Sequence, residues 1–205
     1  MGVCLADVAG KQVLGQMYLP LLKYSLRAAT LLFESPGRIL GSLNRMLFPE
    51  LHPDRFISMT YAILHPERGE MVVANAGHLP LFHYRPAHET VTLLFAEGIV
   101  LGVEAEPRYE ERRERLEPGD WLVLVTDGVT EAVNEEGRPF GLEGVRTALQ
   151  KGEKRSAQQL AEALLEQVNA YEAGEKVDDA TVLVIHWPSK ASSTDASESP
   201  PGVEA

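Results

Sequence analysis

The feature that most limits the fold is a change of apolar period near residue 56. Upstream, "LGQMYLPLLKYSLRAATLLFES" (residues 14–35) places apolar side chains at helical spacing, and Pro20 is expected to mark a kink or a helix start within it. A second helix follows, with Ser35 as N-cap, Pro36 at its first position and Ile39, Leu40, Leu43, Met46 and Leu47 on one face. From Phe56 the period becomes two: "FISMTYAILHPERGEMVVANAGHLPLFHYR" predicts an antiparallel meander of three strands, turning at "HPERGE" and "NAGHLP". A chain ordered as strand, helix pair, meander, helices and strand does not alternate β and α as a parallel sheet requires. The predicted class is therefore α+β, with antiparallel sheet faced by helices.

The remaining elements fit that frame. "VCLADV" reads as a first strand, "ETVTLLF" and "ATVLVIHW" as later ones, and "YEERRERLEPGDWLVLVTD" as a hairpin turning at Pro118-Gly119. "SAQQLAEALLEQVNAYE" predicts a helix capped by Ser156. Residues 189–205, rich in Ser, Ala and Pro without apolar period, are expected to be a disordered tail behind one domain over residues 1–188.

Charge narrows the partners. A net charge of −11 over 205 residues argues against a broad grip on nucleic acid, which needs clustered Lys and Arg. No apolar run approaches the roughly 20 residues that span a bilayer. The N-terminus lacks the basic start and apolar core of a signal peptide, and Ala6 stands where a myristoylation motif needs Ser or Thr. A single cysteine, Cys4, suits a reducing compartment, so a cytoplasmic, soluble chain is expected.

Against this background the acids at strand ends stand out. Asp7 closes the first strand, Asp127 ends the "WLVLVTD" strand, and Asp178 with Asp179 precedes the final strand. Taken alone, Thr126-Asp127-Gly128 is also a good turn, with Asp accepting local backbone bonds and Gly free to adopt positive φ. If the strands lie side by side, however, the acids share one cleft. Like charges a few ångströms apart must then be neutralised by protons or cations. An all-oxygen ligand set favours Mg²⁺ or Mn²⁺, and no Cys/His zinc spacing competes.

Four segments, "ADVAGK" (6–11), "NAGHLP" (75–80), "LEPGDWLVLVTDGVTEAVNEEGRPFG" (116–141) and "DDATVLVI" (178–185), resemble in that order the metal-dependent type 2C (PPM) serine/threonine protein phosphatases. The closer likeness is to their bacterial SpoIIE/RsbU-like branch, and it spans roughly residues 2–187. The resemblance implies an antiparallel β-sandwich between helix layers and two metal ions, Mn²⁺ or Mg²⁺. Asp7 corresponds to the acid shared by both ions, with the Val8 backbone carbonyl as a further ligand; Asp127 and Asp178 complete one metal's shell, and Asp179 is a structural neighbour. In such sites a metal-activated water attacks phosphorus in line. The implied activity is dephosphorylation of phosphoserine or phosphothreonine on a bacterial regulatory protein of the anti-anti-sigma type. The alternative is a degenerate phosphatase fold kept as a binding module.

Departures from the family pattern bear on that choice. The family opens with a further strand carrying a Gly-Gly-Asp motif, whereas Met1 falls at the strand leading into Asp7, so the fold is expected to be N-terminally truncated and the second metal weakly held or missing. Gln12 replaces a glycine of the strand-to-helix turn, and Gly15-Gln16 replace small apolar residues. Ala9 stands where eukaryotic members carry a His proposed as general acid, so water is expected to protonate the leaving group.

His78, in "NAGH", is expected to be a turn histidine capping backbone carbonyls rather than a catalytic one. "RYEERRER" reads as a solvated strand face. "LPLLKYSL" carries more apolar surface than one helix face needs, which points to a homodimer or an upstream sensor domain as partner.

Overall fold

The structure, a computed structural model, describes residues 1–9, 13–151, 156–174 and 179–188, without the side chains of residues 13–16. The expected tail, Gln12 and Asp178 lie outside the described residues. The chain runs β1 (Gly2–Val8), α1 (Val13–Leu32), α2 (Pro36–Leu47), β2 (Ile57–His65), β3 (Glu70–Ala76), β4 (Leu81–Arg85), β5 (Thr90–Leu94), β6 (Arg112–Arg115), β7 (Trp121–Val125), α3 (Asp127–Thr130), α4 (Gly141–Lys151), α5 (Ala157–Tyr171) and β8 (Val182–His186). Pro20 sits inside α1, which stops at Leu32 and leaves Ser35 to cap α2 by accepting from the Arg38 amide.

Two antiparallel four-stranded sheets form, in the orders β1-β2-β3-β6 and β5-β4-β7-β8. Strand alternation gives each sheet two apolar faces. In β2, Met59 and Tyr61 pack under α1 and α2 with Leu40, Leu43 and Leu47, while Ala62 and Leu64 face the other way. In β7, Leu122 and Leu124 meet Leu64, Met71 and Val73 of the first sheet, while Trp121, Val123 and Val125 pack on Val145, Leu149, Leu160 and Leu164 of α4 and α5. The result is four layers, helix, sheet, sheet and helix, with an apolar core in each of the three spaces between them.

The expected meander and hairpin require correction. β2 and β3 do form a hairpin, but β4 belongs to the second sheet. Similarly, β6 pairs with β3, whereas β7 pairs with β4 and β8. The turns at Asn75–Pro80 and Glu117–Asp120 are thus corners that carry the chain from one sheet to the other. A sandwich of twisted sheets needs such corners, and Gly77 shows why the first admits only glycine. It has φ of 65°, and a β-carbon there would lie 2.4 Å from Val100.

Candidate active site

Asp7 is the penultimate residue of β1 and lies opposite Ser58 of β2 in the antiparallel register, so the two side chains share a face. Val8, whose carbonyl was the expected further ligand, faces Ile57 one step beyond. Asp127 occupies the corresponding end of the second sheet. It does not end β7 as expected: the strand stops at Val125, Thr126 turns the chain, and Asp127 opens the short helix α3. Its Oδ1 accepts from the Gly128 amide at 2.9 Å, and its main-chain carbonyl accepts from the Glu131 amide at 2.7 Å. The local turn and the site are the same structure, because the turn lifts the carboxylate out of a run of buried residues to a half-buried position.

Thr126 fixes what lies beside it. Although placed as the N-cap of α3, its hydroxyl makes no capping bond. Instead Oγ1 donates to the Asp179 carbonyl at 3.1 Å and accepts from the Thr181 amide at 2.9 Å, while the Thr126 amide donates to the Thr181 carbonyl at 3.1 Å. The segment entering β8 is thereby stapled against the start of α3. Gly128 completes the junction: a β-carbon on it would stand 2.5 Å from the Asp179 carbonyl oxygen. Asp179 meets Thr126 through its backbone carbonyl. Asp178 precedes it directly in the chain but lies outside the described residues.

The corner between β3 and β4 joins the two sheet ends. Asn75, not His78, satisfies the turn: its Oδ1 accepts from the His78 amide at 2.8 Å, and its Nδ2 donates to the His78 carbonyl and to Thr60 Oγ1, both at 2.9 Å. The His78 ring is thereby released from turn capping. Its Nδ1 lies 2.8 Å from Ser58 Oγ, and its Nε2 is buried without a hydrogen-bond partner among the described residues. Burial pushes the His78 pKa below the ordinary value, while the nearby Asp127 charge and the Val125 carbonyl pull it back up.

Ser58, opposite Asp7 in β1, is thus tied to His78, whose ring feels the Asp127 charge from beyond β7. Sequence reasoning missed Ser58 and the capping role of Asn75. "NAGH" offered a signal for Asn75, whereas nothing local marks Ser58. Among the described residues no group of three or more His, Cys, Asp or Glu side chains is arranged to hold a metal. The described part contains two of the three predicted acids. Their chemistry fits a hard divalent cation, since both donors are carboxylates and no thiolate adjoins them. Cys4 is half-buried and its thiol pKa is raised by burial, which disfavours the thiolate a nucleophile requires.

The family profile described as Stage II sporulation protein E (SpoIIE) matches residues 1–188. The chain belongs to the SpoIIE family. "Phosphoserine phosphatase RsbU" of Bacillus subtilis (strain 168) is 29% identical over 188 residues, covering 90% of this chain and 55% of that protein. This SpoIIE-family chain thus spans about half the length of that relative. Among solved structures, the SiaA-PP2C domain of Pseudomonas aeruginosa superposes with a TM-score of 0.80 at 22% identity, covering 90% of this chain and 75% of that one. The RsbU and RsbW domains of Rv1364c from Mycobacterium tuberculosis give 0.74 at 21% identity, covering 89% and 50%. The fold is that of the PPM phosphatases, as the sequence resemblance implied.

Proposed function

We propose that this chain is a metal-dependent phosphoserine/phosphothreonine protein phosphatase. The observation that carries the reading is the SpoIIE family match over residues 1–188, which includes Asp7 at the end of β1 and Asp127 just past β7. Asp7, the Val8 carbonyl, Asp127 and Asp178 are the groups that would hold Mn²⁺ or Mg²⁺. Such ions, when bound, supply an activated water and neutralise charge on the transferring phosphoryl oxygens.

The chain's own residues set the conditions for that chemistry. The Thr126 staple and the close Gly128 packing hold the Asp127 turn and the segment after Asp178 in one rigid unit. Pairing of Asp7 with Ser58 holds the other acid on regular sheet, so neither acid depends on a free loop. The substrate class that fits the likeness to RsbU is a bacterial regulatory phosphoprotein of the anti-anti-sigma type. We place contacts with a second copy or a sensor domain on α1, where Met17, Leu19, Tyr24, Leu31 and Leu32 are exposed.

The test is hydrolysis of an aryl phosphate and of a phosphoserine peptide, with Mn²⁺, with Mg²⁺ and with chelator. Turnover is expected only with metal, and Cys4→Ala is expected to retain it. Chelator-resistant activity, or activity lost with Cys4, would overturn the reading. Binding of Mn²⁺ without turnover of either substrate would favour a phosphatase fold kept as a binding module.

A further inference from the structure

His78 has features that the turn does not explain. Its ring is buried, at 7% exposure, and the turn in which it sits is satisfied by Asn75. A buried imidazole nitrogen without a partner carries a desolvation cost, so the ring's placement calls for a reason at that nitrogen.

Geometry supplies one. Through Nδ1 the ring is tied to Ser58, which faces Asp7 across β1 and β2. On the other side, the β4–β7 register pairs Phe82 with Val123 and Tyr84 with Trp121. The corner that carries His78 leads into the start of β4 at Leu81, and Asp127 opens α3 just past the end of β7 at Val125, so both lie at the same end of this antiparallel pair. The groups besides Ser58 that act on the ring, the Val125 carbonyl and the Asp127 carboxylate, are acceptors only. That environment selects the tautomer with the proton on Nε2, so the Ser58 hydroxyl donates to Nδ1.

We propose that His78 is a positioning residue that fixes the Asp127 carboxylate relative to Asp7, by holding Ser58 of the first sheet through Nδ1 and presenting its Nε2 proton to the Asp127 turn of the second. The inference rests on Asp7 and Asp127 being metal-holding acids. Side chains that orient ligating carboxylates in this way typically change metal affinity by about 10–100-fold when removed. Simple core packing by His78 would instead lower stability without moving metal affinity.

The experiment compares the full chain with Ser58→Ala, His78→Ala and His78→Gln, and with Asp127→Asn as reference. Two quantities are read: the Mn²⁺ concentration that half-saturates the thermal shift, and the Mn²⁺ dependence of aryl phosphate hydrolysis. Ser58→Ala and His78→Ala are expected to raise the half-saturating Mn²⁺ concentration about tenfold or more. His78→Gln, which keeps a donor, is expected to recover part of the loss. Ser58→Ala leaves the imidazole in place, so the test survives if His78→Ala does not fold. Unchanged Mn²⁺ affinity in Ser58→Ala, or in a folded His78→Ala, overturns the positioning role while leaving the metal reading intact. A full Mn²⁺ shift in Asp127→Asn, or none in the wild type, overturns the metal reading itself and the positioning role with it.

Discussion

Gly128 shows how closely the candidate site is built at the scale of one residue. Its missing side chain leaves room for the Asp179 carbonyl oxygen, which a β-carbon would approach to 2.5 Å. The obstacle is backbone, not the end of a flexible side chain, and the Thr126 hydroxyl ties that same carbonyl in place. Gly128→Ala must therefore push the segment entering β8 away from Asp127. Overpacking of this kind typically costs about 1–3 kcal/mol, and here it also displaces the chain next to Asp178. The expected result is a lower melting temperature together with a smaller Mn²⁺-induced shift, read from melts with and without the ion. A lower melting temperature with an unchanged shift would separate the junction from metal binding. Asp7 and Asp127 were legible in the sequence because a carboxylate beside an apolar strand must be neutralised. Ser58 was not, since its partners are set by register with β1 and by a ring that arrives from 20 residues further along.

At the scale of elements, most helices and strands followed from apolar period and caps, while the pairing of strands across Pro118-Gly119 did not. A proline-glycine turn between two strands has the same local chemistry whether it closes a hairpin or carries the chain to another sheet. What decides is distant. Asp120 Oδ2 accepts from the Glu117 amide at 2.8 Å and lies 2.7 Å from His83 Nε2 of β4, which anchors the corner to the second sheet. His83 is fully buried, with Glu114 and Arg85 also near it. Burial lowers its pKa; the Asp120 hydrogen bond and charge and the Glu114 charge act against that, and the Arg85 charge adds to it. A base whose folded pKa is depressed takes up its proton first in the unfolded chain. Stability is therefore complete above the ordinary histidine range near about pH 6.5 and declines as pH falls from there toward the folded value. His78, also depressed, adds to the same slope. Melting temperatures between pH 7.5 and 5 are expected to fall for the wild type and to fall less steeply for His83→Gln. Equal slopes would show that the corner histidine is not the titrating group.

At the scale of the whole molecule, the four layers place Asp7 at the end of a strand of the first sheet and Asp127 just past a strand of the second, so the candidate site lies across the interface on which the sandwich is assembled. The layering was legible, since the helix pair, the strands and the later helices each bury an apolar face. The seam was not, because it depends on the two corners. A cation held by Asp7 and Asp127 would cross-link the sheets, and its binding free energy would then add to the stability of the joined structure. At a free concentration about 100 times the dissociation constant that contribution is about 2.7 kcal/mol. Amide hydrogen exchange can locate it. If both sheets hold the ion, Mn²⁺ should slow exchange together at the end of β1 (Leu5 to Val8) and around α3 (Val125 to Thr130), and Asp7→Asn should abolish the effect at both ends. An ion held by the second sheet alone would protect the α3 region only and would be indifferent to Asp7→Asn. That pattern would remove Asp7 from the site and leave the sandwich to be held together by its apolar interior.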